Sequence, residues 1–486
     1  MRSRTTVFSP APLRFSAIAA VLYLSACAPD LGPKPEPETP QALRTEKSFS
    51  AAQGQPSTAA WPQGNWWQAY GDQELDQLED EALRASPDLK IAEARLRQAE
   101  AQSEQANSAL VPNLSLDASA QPTKQSRNQG FPNAIQSFLP HGWHTNTRVA
   151  ANLNYEIDFF GKNRAALAAA TSEQKAASVD VDEARLVLST SVASAYADLV
   201  RLAADKASAE DAVKIREQSA QLVAQRESQG LENKGATAQA QAQADAARAD
   251  EDVVDGQIGT VRDEIAALLG KGPDRGLDVP LPQTRTVAAA QLPPHLAADL
   301  IGRRPDLVAA RLRAQAASER IKVAHADFYP NIDLNGLIGF QSLDIGQVFM
   351  HSSLIGAIGP ALHLPIFDGG KIEGAYRGAR ANYDEAVATY DKTLVTSLNE
   401  VADAVVGEHE LQTELDHSRA ALKQSEDAYR IAQLRYRGGL SRYLDVLTAE
   451  DTLVVQRKRV ADLEAREFAQ NVVLIKALGG GFQSKA

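Results

Sequence analysis

PDLKIAEARLRQAEAQSEQANSALVPNLSL (Pro87–Leu116) and PDLVAARLRAQAASERIKVAHADFYPNIDL (Pro305–Leu334) align without a gap. The offset is 218 residues (305 − 87), and Pro112-Asn113 falls on Pro330-Asn331. A second block follows at an offset of 209 (371 − 162): Gly161-Lys162 on Gly370-Lys371, Val192-Ala193 on Val401-Ala402, Arg226 on Arg435, and Gly230-Leu231 on Gly439-Leu440. The chain reads as two head-to-tail copies of one helix–strand–strand–long-helix–turn–helix unit. Solenoid repeats recur every ~20–50 residues, so a period this long marks a duplication instead. Repeat 1 is expected over 65–285 and repeat 2 over 286–482, with a short tail at 483–486.

Each copy contains period-two segments. In 148–159, Arg148, Ala150, Asn152, Asn154, Glu156 and Asp158 alternate with Val149, Ala151, Leu153, Tyr155, Ile157 and Phe159. In 331–341, Asn331, Asp333, Asn335 and Gln341 alternate with Ile332, Leu334, Gly336, Ile338 and Phe340. Segments 113–121 and 354–367 supply two less regular strands. A dozen alternating residues is about the length a tilted strand needs to cross a bilayer. A soluble sandwich with one wet face alternates in the same way, but four strands are too few to build one of any size. They are also too few to close a barrel, and lipid offers no hydrogen bonds to an open sheet edge. Strands in a membrane would therefore have to be shared between chains. Three chains of four strands give a twelve-stranded, polar-lined pore.

The long helices are expected at about 164–229 and 371–437. At ~1.5 Å per residue each is on the order of 100 Å long. Each turns at a Gly-Leu pair, Gly230-Leu231 or Gly439-Leu440-Ser441, into a returning helix at about 233–269 or 441–478. Shorter helices occupy 87–110 and 305–328. A returning and a short helix together nearly match one long helix, which fits end-to-end stacking beside it. Gln239–Ala244 alternates like a strand, but glutamine and alanine are both strong helix formers and the stretch reads as helix. Alanine-rich, heptad-like spacing fits close packing of coiled-coil type. A soluble coiled-coil spacer would show the same helices. What favours a membrane duct is continuity: each strand pair runs straight into a long helix, at Phe160-Gly161-Lys162 and Asp368-Gly369-Gly370-Lys371.

At the N-terminus, Arg2, Arg4 and Arg14 precede the apolar run FSAIAAVLYLSA, which stops at Cys27. The run is too short to span a bilayer and reads as a secretory leader, residues 1–26. Leu24-Ser25-Ala26-Cys27 has the form of a bacterial lipobox, in which the chain is cleaved before a cysteine that then carries lipid. Cys27 is the only cysteine. A chance thiol in an ordinary signal peptide is the alternative. Ala28 follows where Asp would direct retention at the inner membrane, by analogy with enterobacterial lipoproteins. Residues 27–64 then read as a lipidated linker, an anchor and not a span.

The formal charge is −12, mean hydropathy is −0.30, and no later run of 18 apolar residues occurs, so no helical span is expected after the leader. An acidic chain without basic stripes argues against nucleic acid. No Walker A, GxSxG or HExxH string is present, and no enzyme activity or cofactor is expected beyond the covalent lipid on Cys27. Of eight histidines only His141 and His144 are closely spaced. Two imidazoles could hold a metal with outside help, but a polar loop tip between the first two strands is the simpler reading, and no metal site is assigned.

NWWQAYGDQELDQLEDEAL from Asn65, YEIDFFGK from Tyr155, RRPDLVAARLRAQAASERIKVAHADFYPNIDL from Arg303, PIFDGGKI from Pro365, RYRGGLSRYLDVLTAE from Arg435 and ALGGGF from Ala477 together carry a resemblance. The chain resembles the TolC-like outer-membrane efflux channel family, in its lipoprotein branch of multidrug-efflux outer-membrane factors (NodT/OprM-like). The resemblance implies a mixed α and β membrane protein. It would be a homotrimer with a twelve-stranded β-barrel continuous with a long periplasmic α-helical barrel, and an equatorial belt from segments outside the repeats. It implies docking of the hairpin tips, around Gly230, Leu231, Gly439, Leu440 and Ser441, to a periplasmic adaptor (membrane fusion protein) serving an inner-membrane pump. It also implies a periplasmic gate at the second tip. By position Tyr436 would tie neighbouring helices, Leu444 an apolar constriction, and Asp445 an acidic ring of a kind that favours cations in other pores. Ser441 stands where a gate arginine would be, with Arg442 beside it, and Thr448 where an aspartate is often found, so a closed-state salt bridge would use Arg442 or be absent. The plainer reading of Asp445 is a solvated helix-face residue or a cap of the returning helix.

Three functions follow. The first is an exit duct for a resistance–nodulation–division pump exporting small molecules. The second is a duct for a major-facilitator pump or a type I protein secretion system. The third is a periplasmic coiled-coil lipoprotein without a pore.

Overall fold

The computed structural model describes residues 28–39, 43, 61–124, 126, 140–282, 300 and 302–484. Cys27 and the leader lie outside the described residues, as does most of the expected linker. In chain order the elements are α1 (Gln73–Ala85), α2 (Pro87–Ser108), β1 (Asn113–Lys124), β2 (Trp143–Glu156), α3 (Lys162–Ser228), α4 (Lys234–Leu268), the one-turn α5 (Asp274–Leu277), α6 (Pro305–Ala326), β3 (Asn331–Ser342), β4 (Leu354–His363), α7 (Lys371–Arg437) and α8 (Tyr443–Ala477). Helices at corresponding places in the two sequence copies are equal in length: 22 residues in α2 and α6, 67 in α3 and α7, 35 in α4 and α8.

Two compact units are present, and neither follows one sequence repeat. The first comprises Met1–Glu36, Arg97–Lys175 and Arg311–Ala388; the second comprises Pro37–Leu96, Ala176–Ala310 and Thr389–Ala486. Each draws on both copies, because strands pack with strands and helix bundles with helix bundles wherever the chain supplies them.

The first unit holds one antiparallel sheet in the order β1-β2-β3-β4. Its register sorts most side chains by polarity, with Leu337 and Ile355 as apolar exceptions on the polar face. On one face Leu114, Leu116, Leu153, Val149, Ile338, Phe340, Ile358 and Leu362 meet as cross-strand partners or neighbours; on the other are Asp117, Asn152, Asn154, Asn335, Arg148 and Gln341. Asn154 donates to Asn335 Oδ1 at 2.8 Å on that polar face. The apolar face is bare: Leu114, Leu116, Ile358 and Leu362 are each about two-thirds to three-quarters exposed.

β2 begins at Trp143, earlier than the expected 148, because Thr145 and Thr147 occupy apolar-face positions and hide the alternation. It ends at Glu156, not 159, because Asp158 is taken up in the start of α3. Its carboxylate accepts from the backbone N–H groups of Asn163 (3.2 Å) and Arg164 (2.9 Å). β4 likewise ends at His363, short of the expected 367, since Pro365 has no N–H to offer a ladder. Asp368 repeats the cap for α7, accepting from Gly370 N and Ile372 N. β1 runs on to Lys124, beyond the expected 121.

Along α7 in the same unit lies the N-terminal segment, in an extended course. Arg380 donates to the carbonyls of Gly32 and Pro33, Tyr383 Oη to the carbonyl of Pro35 at 3.0 Å, and Lys34 sits 5.6 Å from the Tyr383 ring centre.

The second unit is helical. Its main core gathers Trp66, Leu75, Leu78, Val192, Tyr196, Leu199, Ile258, Ile265, Phe468 and Val472. Asp72 caps α1, accepting from Glu74 N and Leu75 N, and also accepts from the Tyr196 hydroxyl at 2.8 Å. α3 contains an 18-residue window of mean hydropathy 1.3, apolar enough by length and composition alone to cross a membrane. That window is 67% buried, and α3 supplies this core with Leu188, Val192, Tyr196, Leu199 and Leu202 among others.

Candidate functional site

Both hairpin tips lie in the second unit and close by the same device. Gly230 (φ +74°) and Gly439 (φ +70°) adopt the left-handed conformation that glycine enters without a Cβ penalty. Leu231 N–H then bonds Arg226 O (2.9 Å) and Gly230 N–H bonds Glu227 O (2.8 Å); Leu440 N–H bonds Arg435 O (2.8 Å) and Gly439 N–H bonds Tyr436 O (3.0 Å). These are two Schellman endings, each satisfying the last carbonyls of a 67-residue helix. Asn233 caps α4 through Ala236 N, while Leu231 and Leu440 stay 60% and 73% exposed.

Behind the tips the two hairpins meet in an apolar cluster of Ala220, Val223, Ala240, Tyr436, Tyr443, Val446 and Leu447. Tyr436 is only 1% exposed. Its hydroxyl donates to Glu232 Oε2 of the other hairpin at 3.2 Å, and the Arg226 guanidinium lies over its ring, 4.6 Å from the centre. Arg226 Nη1 also donates to the Tyr436 carbonyl at 3.3 Å. Burial, then the Glu232 carboxylate, outweigh Arg226 and push the phenol up to about 12, so it keeps its proton. Tyr443 is pushed to about 12 as well, by burial and then by Glu450.

The remaining expected site residues are placed differently. Asp445 is exposed and its Oδ2 accepts from the backbone N–H of Arg442 at 3.1 Å, so it caps α8. Arg442 supplies that backbone donor, and among the described residues its guanidinium forms no ion pair, so the salt bridge considered for it is not made among them. Leu444 is 59% exposed, and Ser441 Oγ is buried without a hydrogen-bond partner among the described residues. Thr448 donates back to the Leu444 carbonyl at 2.9 Å. A shallow groove of about 430 Å³ runs past Asp445, Thr448, Thr452, Ser425 and Gln424. His144 lies in β2, not in a loop, and its ring nitrogen contacts the His141 carbonyl at 2.8 Å; among the described residues no metal-ligand cluster is found.

Sequence reading missed a buried polar tie between the hairpins. Arg216 of α3, buried, faces Glu450 of α8, which is fully buried: Nη1 and Oε1 are 3.0 Å apart, near enough to attract but out of line for a hydrogen bond. Ser219 Oγ donates to Glu450 Oε2 at 2.6 Å, and Arg216 Nη2 pairs with Asp451. Burial raises the Glu450 carboxyl, opposed by the Ser219 hydrogen bond and the Arg216 charge. A signal was available. Tyr443, Val446, Leu447, Glu450 and Leu453 share one helical stripe, as do Arg216, Ser219, Ala220 and Val223, so each charge stands at a core position.

The comparisons with known proteins agree with this architecture. The profile of a family described as "Outer membrane efflux protein" matches residues 78–271 and 296–480. The chain is 28% identical over 457 residues to the multidrug resistance outer membrane protein MdtP of Escherichia coli K12, covering 91% of this chain and 92% of that one. It is 29% identical over 432 residues to the pyoverdine export outer membrane protein OpmQ of Pseudomonas putida, covering 87% and 90%. Among solved structures, the outer membrane protein VceC of Vibrio cholerae superposes with a TM-score of 0.82 at 40% identity, over 87% of this chain and all of that one. The sheet, the paired long hairpins and these matches give one conclusion: the chain belongs to the outer membrane efflux protein family and works in the bacterial outer membrane.

Proposed function

We propose that this protein is the passive exit duct of a tripartite export system, a homotrimer whose twelve strands close one barrel and whose helices form a periplasmic conduit. It would receive small molecules from an inner-membrane pump, with a resistance–nodulation–division pump favoured, through a periplasmic adaptor seated on the tips at Leu231 and Leu440. The carrying observation is the four-stranded sheet with a bare apolar face and two unpaired edges. In lipid those edges find hydrogen-bond partners only in further strands. Small-molecule cargo is favoured over protein because MdtP and OpmQ are named for drug resistance and pyoverdine export. Lipidation of Cys27 would add a membrane anchor beside the barrel.

The tips would act as a gate. Tyr436–Glu232 and Arg216–Glu450 both join one hairpin to the other, so separation of the hairpins strips each of its partner. Asp445 supports the gate by holding the start of α8 and lends its exposed carboxylate to the groove. The test is single-channel recording in planar bilayers. Tyr436→Phe and Asp445→Ala should each raise conductance or open time over the wild type. A wild-type protein that forms no channels and runs as a monomer in mild detergent would defeat the duct reading. Channels whose gating both substitutions leave unchanged would remove the two residues from the gate.

A further inference from the structure

The junction of β2 with β3 displays how this chain finishes a strand seam below the sheet. There Ile157 N–H donates to Ile332 O at 2.8 Å, and Phe160 stacks on Tyr329 with ring centres 4.6 Å apart and planes 15° from parallel. β2 is the second strand of the first sequence copy and β3 the first strand of the second copy. The duplication therefore has one counterpart to this seam: β4, the second strand of copy two, against β1, the first strand of copy one. Within one chain these two are the opposite edges of the sheet and do not meet.

The counterpart positions carry apolar residues, although the Phe160 ring is not itself repeated: at the 209 offset it falls on Gly369. At the 209 offset Ile157 and Asp158 fall on Ile366 and Phe367; at the 218 offset Phe328 and Tyr329 fall on Leu110 and Val111. Ile157, Phe328 and Tyr329 are half-buried at their seam, and so is Leu110. By contrast Ile366 is 88% exposed, Phe367 93% and Val111 57%. Such exposure of consecutive large apolar side chains marks an interaction site, not an ordinary surface. Every pairing in the sheet is antiparallel. A β4 edge joined to a β1 edge in the same sense brings the end of β4, and so residues 364–367, beside the start of β1 and residues 110–112. It also joins Ile358 and Leu362 to Leu114 and Leu116 in one unbroken apolar face.

We propose that Ile366 and Phe367 of one copy pack against Leu110 and Val111 of a second copy, sealing the subunit seam just beneath the sheet. The occupant is another molecule of this chain because the exposed apolar residues flank the two free edges of one sheet, at places that correspond by sequence copy to a seam the chain closes with itself between β2 and β3. The proposal rests on the multimeric-barrel reading and goes beyond it by assigning the residues that cover one another.

The test is disulfide trapping in outer-membrane vesicles carrying the full chain with Val111→Cys and Phe367→Cys together. Phe160→Cys with Tyr329→Cys, whose rings already stack within one chain, sets the oxidation conditions. On heated, non-reducing gels the seam pair should give dimer and trimer bands that neither single variant gives, and that reductant removes. Native electrophoresis of the same samples reports assembly independently. A trimer with no cross-linked bands overturns the seal while leaving the trimer standing, with lipid then covering these residues. A wild-type monomer on the native gel overturns the multimeric reading itself. Phe367→Ser should make the trimer dissociate at lower temperature on unheated gels, with Phe367→Leu close to wild type; equal dissociation temperatures for all three overturn the seal.

Discussion

Arg216→Met is the most informative perturbation of the hairpin tie. It leaves the aliphatic volume roughly in place and removes the charge facing Glu450, a carboxylate with no exposed surface and one remaining close partner, the Ser219 hydroxyl at 2.6 Å. Breaking a buried pair by deleting one member costs about 3–5 kcal/mol. Glu450 is already raised by its burial, so it can escape part of that cost by taking up a proton, which places the effect at the lower end of the range. At about 1.4 kcal/mol per tenfold, ~3 kcal/mol is roughly a hundredfold in the ratio of joined to separated hairpins. In planar bilayers the variant should show a large rise in open probability, and on heating it should lose its structure at a lower temperature. Arg216→Met with Glu450→Leu removes both charges and should recover most of the thermal loss, because an apolar pair of similar volume replaces a buried ion pair at little cost. Wild-type open probability and heat stability in Arg216→Met would refute the reasoning. A double variant as impaired as the single would show that packing, not charge, holds the hairpins.

Glu79, fully buried with neither oxygen hydrogen-bonded among the described residues, is pushed up to about 9 by burial and then by Asp76 and Asp80. Between its ordinary value and about 9 the folded chain holds a proton that the unfolded chain has lost, so stability falls as pH rises through that window. Glu79→Gln should flatten this dependence in denaturant titrations from pH 5 to 9; an unchanged slope would show that Glu79 is ionised in the fold. Cys27→Ala should abolish metabolic incorporation of labelled fatty acid; label retained in the variant would place the lipid on another residue, and no label in the wild type would remove it from this chain.

The long helices and their ends were legible because their causes are local. A run without proline followed by Gly-Leu writes out a helix and its Schellman ending in consecutive residues, at Gly230 and again at Gly439. β2 was legible only in its lower part, since Thr145 and Thr147 are β-branched but polar and break an alternation read by hydropathy alone. The tip residues behave in the opposite way. Asp445 looks like a pore carboxylate by position, yet within the chain its nearest donor is three residues away. Glu232, Arg216 and Glu450 gain their meaning from partners 204 to 234 residues distant, which no local window shows. For Arg216 and Glu450 the trace is a charge standing on an apolar helical stripe, and Glu79 beside Leu75, Leu78 and Ala82 carries the same mark; Glu232, in the turn between two helices, leaves none.

The grip of Arg380 and Tyr383 on residues 32–35 shortens the leash of any acyl group at the N-terminus. From Gly32 back to Cys27 there are five residues, about 17 Å at full stretch. Arg380 lies nine residues into α7, about 14 Å along the helix from its first residue. A lipid on Cys27 thus has just enough slack to regain the level where strand becomes helix, and deleting two or three residues from 28–31 would leave it hanging short of the bilayer.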